Sequence, residues 1–522
     1  MAYEEKDVWE KRIEKNEDFE EFLEEKPADF ETAITATNFG KFNWVLLCLA
    51  LPVSWGNLFE TTTMSYVFPA AQCDLNLTLE DKGMLNAAVY FGTITSAFFW
   101  GFLFDTFGRR KLLMIGYFMD AVIVIISAFS PNKHFLMFMK FLGGFIINGP
   151  YAAAPTYLSE MHAAKYRSRM PLLLGVGMSL GSMFLPLLAA IILPLNFKIS
   201  LMDSFAFHSW GFYLMINAVP SLLSGIIFMF LPESPKFLMS MGRNEEALKV
   251  FQMMFKMNTG KPVEMYPIRN LVKENGEKDN PHTKKTFFDN LKKGYVQIRP
   301  LFSFPHLRLL LLVCGLQGFQ LMSLNTLRLW MPQLFQAIND YKYLNNGTSS
   351  SLCEMLSIIR PTTGKKEDCF VNFDNLEVYI KSALASSMLL IGYLLASSLI
   401  NAVGQKRLLN IISFVASFAA IGLYFAPNSA AVTVAISAFK MFAGVGTNVI
   451  IVIIVNFFPT TLRTMTVSLA MMTGRGAATF GNLIFPYLLK IGCAPPFLSI
   501  AGQACALFFL SLLLPEQRTT FI

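Results

Sequence analysis

Charge is what this sequence has least of. Only 15% of its 522 residues are Asp, Glu, Lys or Arg, while 54% are hydrophobic. The mean hydropathy of +0.46 is too high for a soluble protein of this length. Other absences narrow the chemistry. There is no GxxxxGK[ST] stretch to cradle nucleotide phosphates, which excludes pumping driven through a P-loop. His134, His162, His208, His282 and His306 show no paired zinc spacing, and the seven cysteines form no CxxC. No catalytic constellation stands out, so no enzyme activity, metal or cofactor is expected.

What is abundant is long apolar runs. Twelve of them, near 42–70, 83–104, 112–130, 135–159, 170–193, 210–231, 307–337, 378–400, 408–426, 430–458, 464–489 and 495–514, each reach the ~20 residues a bilayer requires. The net charge of +7 would suggest nucleic acid in a soluble domain. Here Lys165, Arg167, Arg169, Lys406, Arg407, Arg463 and Arg518 fall in loops on one side, which makes that side cytosolic and leaves no reason to expect a nucleic-acid partner. An even span count puts both termini there. The pattern predicts an all-α membrane protein: an acidic cytosolic arm at 1–41, solvated and partly helical, six helices over 42–231, a cytosolic loop at 232–306, six more helices over 307–514 with an extracellular or lumenal loop at 333–377, and a tail at 515–522. In the central loop, Asn244-Glu245-Glu246 starts a helix whose Ala247, Leu248, Phe251 and Met254 share a face against the membrane.

The most informative loop is Gly101 to Lys111, GFLFDTFGRRK. An acid, a glycine and three cations cannot lie in hydrocarbon, so the segment is a tight cytosolic turn. Either it is a plain topological flank, or Asp105, Gly108, Arg109 and Arg110 fasten neighbouring helix ends. A weaker copy favours the second: Ala402 to Leu409 matches Thr106 to Leu113 at an offset of 296 residues, and Glu160 and Arg167 align with Asn456 and Arg463 at the same offset. Pro69 aligns with Pro332 at 263, a longer external loop absorbing the difference. Two six-helix repeats follow, with a solute site near the midplane between them.

DTFGRRK, the Glu160–Arg167 pair, LPESPKFL at 231–238 and LPEQ at 514–517 resemble the signatures of the major facilitator superfamily, in its sugar and organic-ion branches. FETAITATNFGKFNWVLL, CDLNLTLEDKGMLNA and GRNEEALKVFQMMFKMNTGKP are similar to the synaptic vesicle glycoprotein family. The loop after the seventh span is too short for that family's large lumenal domain. The resemblance implies alternating access, with Asp105, Arg109, Glu160, Arg167 and Glu233 in cytosolic charge networks that hold an outward-facing state. Gln405 in place of Arg109, and Asn456 in place of Glu160, imply a weaker lock in the second repeat.

Charges within spans face a cavity or one another. Glu60, Arg328, Lys440 and Arg475 are therefore candidate solute ligands, and Arg475 resembles the basic position in the eleventh helix of organic-anion carriers. Tyr66, Tyr90, Asn148, Gln317, Gln320 and Asn325 are candidate neutral partners, with ordinary helix packing as the alternative for each. Asp120 and Lys140 are placed near membrane edges, snorkelling outward. One carboxylate against three cations predicts an organic anion as solute. Glu60 then either pairs a cation or carries a coupling proton, and sodium is the other ion considered. The competing readings are a closed salt-bridge network and a non-transporting vesicle or cell-surface receptor or scaffold of the same architecture. Cys353 and Cys369, in one loop, are the disulfide candidates, and Asn346 and Asn76 the glycosylation candidates.

Overall fold

The computed structural model describes residues 27–167, 170–195, 197–202, 205–272, 299–304, 306–359 and 376–515. Most of the 1–41 arm, Arg169, Cys369, Arg518 and the side chain of Asp105 lie outside that description.

Among the described residues the elements of membrane-spanning length are all helices, because a backbone in lipid must satisfy its own hydrogen bonds. The main helices are α1 (Lys41–Thr62), α2 (Met64–Ala71), α3 (Leu79–Phe107), α4 (Arg109–Ala128), α5 (Lys133–Glu160), α6 (Met170–Ile192), α7 (Ser209–Asn217), α8 (Val219–Phe230), α9 (Asn244–Thr259), α10 (His306–Leu344), α11 (Leu376–Val403), α12 (Gln405–Tyr424), α13 (Ser429–Phe457), α14 (Thr460–Ile491) and α15 (Ala494–Leu512). Among the described residues, ten stretches are long and apolar enough to cross a membrane by length and composition.

Helices pack through small residues, since apolar area alone gives no drive to associate in lipid. Gly92 of α3 lies against the backbone of Phe141 and Phe145, and Gly144 of α5 against that of Val89, so a Cβ at either would force these helices apart. Between the helices before residue 231 and those after 306, the main contacts are α3 with α14, α6 with α11, and α2 with α10.

Several boundaries differ from the sequence expectation. The first span breaks at Thr63 and the sixth at Ala218, where Pro220 opens the next helix as a residue with no N–H to offer. Pro332 does not end α10, which runs 39 residues, or about 58 Å, well past a ~30 Å hydrocarbon core. The expected loop at 333–377 therefore starts as packed helix, with Gln333, Phe335 and Ile338 buried. Between α6 and α7 lies a hairpin that hydropathy did not reveal, Lys198–Met202 paired antiparallel with Phe205–His208. It is anchored beside Asp74, whose Oδ2 accepts from Trp210 Nε1 at 2.9 Å.

The end of the acidic arm is docked rather than solvated. Phe30, Ala33 and Ile34 of the short helix Phe30–Ala36 are buried in one core cluster with Phe251, Met254 and Phe255 of α9. Tyr266 donates to Ala33 O at 2.7 Å, and the amide of Asn258 donates to Asn38 O at 2.8 Å and Asn43 Oδ1 at 3.0 Å while accepting from Phe42 N at 3.0 Å. The arm's carboxylates do not prevent this, because its last turns carry the apolar face that α9 requires.

Cys353 pairs with Cys493, with Cα atoms 5.4 Å apart, and not with Cys369. Nearness in sequence misled here: the loop from Asn345 lies over the α12–α13 end, Leu352 N donating to Ala426 O at 3.2 Å, which brings Cys353 to the α14–α15 turn. Cys73 is also disulfide-bonded, and Cys48, Cys314 and Cys505 are free.

Candidate functional site

Two charged regions organise the molecule. At the face bearing Gly108, α3 ends and α4 begins within one residue, which Gly108 permits at φ 87°. Glu233 then seats its Oε1 on the N-terminus of α4, accepting from the backbone N–H groups of Arg109 at 3.1 Å and Arg110 at 3.0 Å. A carboxylate there answers both the unpaired donors and the helix dipole. Arg109 forms an ion pair with Glu160 at the end of α5, and Ser234 Oγ donates to the same carboxylate at 2.6 Å. Arg110 caps the end of α8 through Phe228 O at 3.1 Å and Met229 O. Arg167 donates to Ser159 O at 3.1 Å and pairs with Glu31 at 2.7 Å, a partner no motif signalled. Arg463 is half-buried, and its Nε finds no acceptor.

The second region lies inside the bundle. Glu60 and Lys140 form a 2.9 Å ion pair with both side chains 1% exposed. Lys140 therefore does not snorkel, and neither does Asp120, which is 1% exposed and accepts from Ser221 Oγ at 2.5 Å. Each was misplaced because its position along a span says nothing of the polar partner on a neighbouring helix. The other cations meet neutral groups. Arg328 donates to Tyr90 Oη at 2.8 Å, and that hydroxyl donates to Asn325 Oδ1 at 3.1 Å. Lys440 donates to Ser386 Oγ at 2.6 Å. Arg475 donates to Asn148 Oδ1, while Asn148 Nδ2 donates to Ser96 Oγ at 3.1 Å.

Arg328 and Lys440 line one narrow cleft with Leu324, Leu327, Met331, Ile436 and Phe439. Arg475 lies within electrostatic reach of Tyr90 and Tyr151, and Tyr66 within reach of Arg328. Arg328, Lys440, Arg475, Tyr66, Tyr90, Asn148 and Asn325 are thus brought together, whereas Glu60 stands apart with Lys140. Gln320 donates to Ala443 O and Gln317 to Met471 Sδ, contacts of helix packing. Sequence reasoning passed over Ser386 and Tyr151, although Tyr151 stands one turn from Asn148 on the same face. Asn76 and Asn346 are both exposed on turns with positive φ.

Residues 57–343, more than half of the chain, match the model of the sugar (and other) transporter family. The chain belongs to that family. It is a multi-pass membrane protein of the major facilitator fold, and nothing in the family points to an enzyme. Among curated relatives it is 27% identical to human (Homo sapiens) synaptic vesicle glycoprotein 2C over 252 residues, covering 48% of this chain and 35% of that one. It is 28% identical to synaptic vesicle glycoprotein 2B of Rattus norvegicus over 246 residues, covering 46% and 36%. The matches thus span about a third of those relatives' length. The xylose transporter XylE from E. coli, in a partially occluded inward-open conformation, superposes with a TM-score of 0.63 at 14% identity, covering 91% of this chain and 100% of that one.

Proposed function

We propose that the chain is a secondary transporter that moves a small organic anion by alternating access. In this reading all twelve apolar runs cross the bilayer, both termini are cytosolic, and two six-helix units over 42–231 and 307–514 rock about the solute. The observation that carries it is the set of partners around the buried cations. Among the described residues, Arg328, Lys440 and Arg475 each meet a hydroxyl or an amide and no carboxylate, while Glu60 is matched by Lys140. A buried charge without a counter-ion costs several kcal/mol, and a bound anion offsets that cost. Asp120 and Lys140 add one charge of each sign, so the excess remains positive.

Coupling, in this reading, uses a proton rather than sodium. Glu60 Oε1 is buried with no partner beyond the Lys140 contact on Oε2, and one similar solved structure is described as a D-xylose-proton symporter. The Arg109–Glu160–Glu233 network holds the cytosolic helix ends, and Asn346 carries the glycan on the opposite face.

Uptake into proteoliposomes from a mixed panel of organic anions, cations and neutral sugars tests the reading. Accumulation of anions, faster with an inward proton gradient, is expected. Transport of cations or sugars alone overturns it, and binding without accumulation identifies a receptor of the same fold.

A further inference from the structure

Three charged residues open α3 in succession, and two of them are already neutralised. Glu80 pairs with Lys490 of α14, and Asp81 pairs with Lys133 at 2.7 Å. The third, Lys82, is 2% exposed. Its ammonium donates to Gln72 Oε1 at 2.8 Å and to Gln333 Oε1 at 3.0 Å. Among the described residues it meets no carboxylate. A fully buried ammonium held only by amide oxygens is costly, and stability gives no reason to prefer it to an uncharged donor.

Its position along the helices supplies the reason. The same two helices, α3 and α10, are joined again farther in by Tyr90 with Arg328 and Asn325. Tyr90 lies eight residues, about 12 Å, along α3 from Lys82, and Arg328 lies five residues, about 7.5 Å, along α10 from Gln333. Lys82 is thus an outer rung, above the cation cluster, on the face opposite Gly108. Alternating access requires this face to open, and the contacts that must part are those joining α3 to later helices: Lys82 with Gln333, and Glu80 with Lys490. Gln72, on the turn after α2, belongs with Lys82 to the 42–231 unit of the reading above. Once Gln333 withdraws, the ammonium faces the vestibule with one neutral partner left.

We propose that Lys82 is an outer capture site, the ammonium on which an organic anion first docks before it passes inward to Arg328, Lys440 and Arg475. The proposal rests on the organic-anion reading above. A lysine suits the role, since a compact point charge attracts a carboxylate or sulfonate without demanding the two-point fit of a guanidinium. Closure of the face over the departing anion then returns Lys82 to Gln333, so the residue serves as docking point when open and as latch when closed.

The test uses the full chain in proteoliposomes, with benzoate and 6-carboxyfluorescein as anion probes supplied to the Lys82 face. Lys82→Gln should raise KM from that face about tenfold with kcat within about twofold, while KM from the opposite face stays unchanged. Lys82→Arg should keep KM near wild type, and added salt should raise KM in wild type more than in Lys82→Gln. If Lys82→Gln fails to reach the membrane, Gln333→Glu neutralises the ammonium in place and should raise the same KM. Transport of the probes with an unchanged KM in these variants overturns the capture site alone. If wild type moves neither probe, the anion reading fails first and the capture site falls with it.

Discussion

The side-chain amide of Asn456 donates to the side-chain carbonyl of Gln405 at 2.8 Å, in the places that Glu160 and Arg109 hold 296 residues and one repeat earlier. Gly404 precedes Gln405 with φ 86°, as Gly108 precedes Arg109 with φ 87°. The backbone of the turn is therefore kept in both copies, and the charge in only one. Glu160→Gln should loosen the first copy by about 1–3 kcal/mol, because it removes the charge from the carboxylate that pairs with Arg109. Asn456→Ala should cost less than about 1 kcal/mol. The joint variant Gln405→Arg/Asn456→Glu should install the ion pair in the second copy and slow the labelling of cysteines placed nearby. Equal effects of Glu160→Gln and Asn456→Ala on thermal unfolding in detergent would sink the asymmetry.

Asn258 joins α9 to the chain just before and within the first turn of α1 through four contacts, with Thr37 O, Asn38 O, Asn43 Oδ1 and Phe42 N. Asn258→Ala should release residues 28–43 from α9 at a cost of roughly 2–4 kcal/mol. Hydrogen exchange in that segment should accelerate while exchange in α10 to α15 stays unchanged. Unaltered exchange in 28–43 would mean that Phe30 and Ile34 hold the arm unaided.

Lys140→Met strands Glu60 in a site with no other cation in hydrogen-bond contact and should destabilise by about 3–5 kcal/mol. The double variant Glu60→Gln/Lys140→Met should recover most of that loss. A double-mutant cycle read by thermal unfolding measures the coupling, and strict additivity would remove the pair from the account.

The helices and the Gly108 turn were legible because both follow from one-dimensional rules: apolar length, and cations excluded from hydrocarbon. Cross-helix partners were not. Lys140 and Asp120 read as edge residues because depth in a span was the only coordinate available, and Lys82 drew no notice at a helix start. Arg328, Lys440 and Arg475 are conspicuous in apolar runs, while their neutral neighbours Ser386 and Tyr151 are not. The hairpin Lys198–Met202/Phe205–His208 lies wholly in the connection between the spans at 170–193 and 210–231, which hydropathy reads only as a loop.

His162 sits just beyond α5 with Nδ1 2.7 Å from Leu158 O, which places the proton on Nδ1 and leaves the buried Nε2 without a partner. Burial pushes its pKa down from 6.5, more than the Leu158 contact raises it. The unfolded chain therefore takes up the proton first as pH falls. The stability held above pH 6.5 should diminish as pH drops below it toward the depressed folded value. Thermal unfolding measured from pH 7.5 to 5.0 should show a steeper acid decline in wild type than in His162→Gln. Parallel curves would show that His162 does not contribute to that decline.

Arg475 reaches across from α14 to Asn148 on α5, a contact spanning 327 residues of sequence. Asn148 is itself held by Ser96 of α3, so the guanidinium is oriented by a chain of neutral groups that leave its charge uncancelled. If that charge binds solute, Arg475→Ala should lower kcat/KM for anion uptake at least a hundredfold, the scale of a lost charge-assisted contact in a dry site. Folding should persist, because Asn148 retains Ser96. Arg475→Lys should recover only part of the activity, since an ammonium cannot reproduce a planar fork. Lys440→Ala should behave likewise, its partner Ser386 retaining the carbonyl of Ser382 at 2.8 Å. Delivery to the membrane with intact anion uptake in both variants would show that these cations do not bind the solute, and the positive site would have to be abandoned.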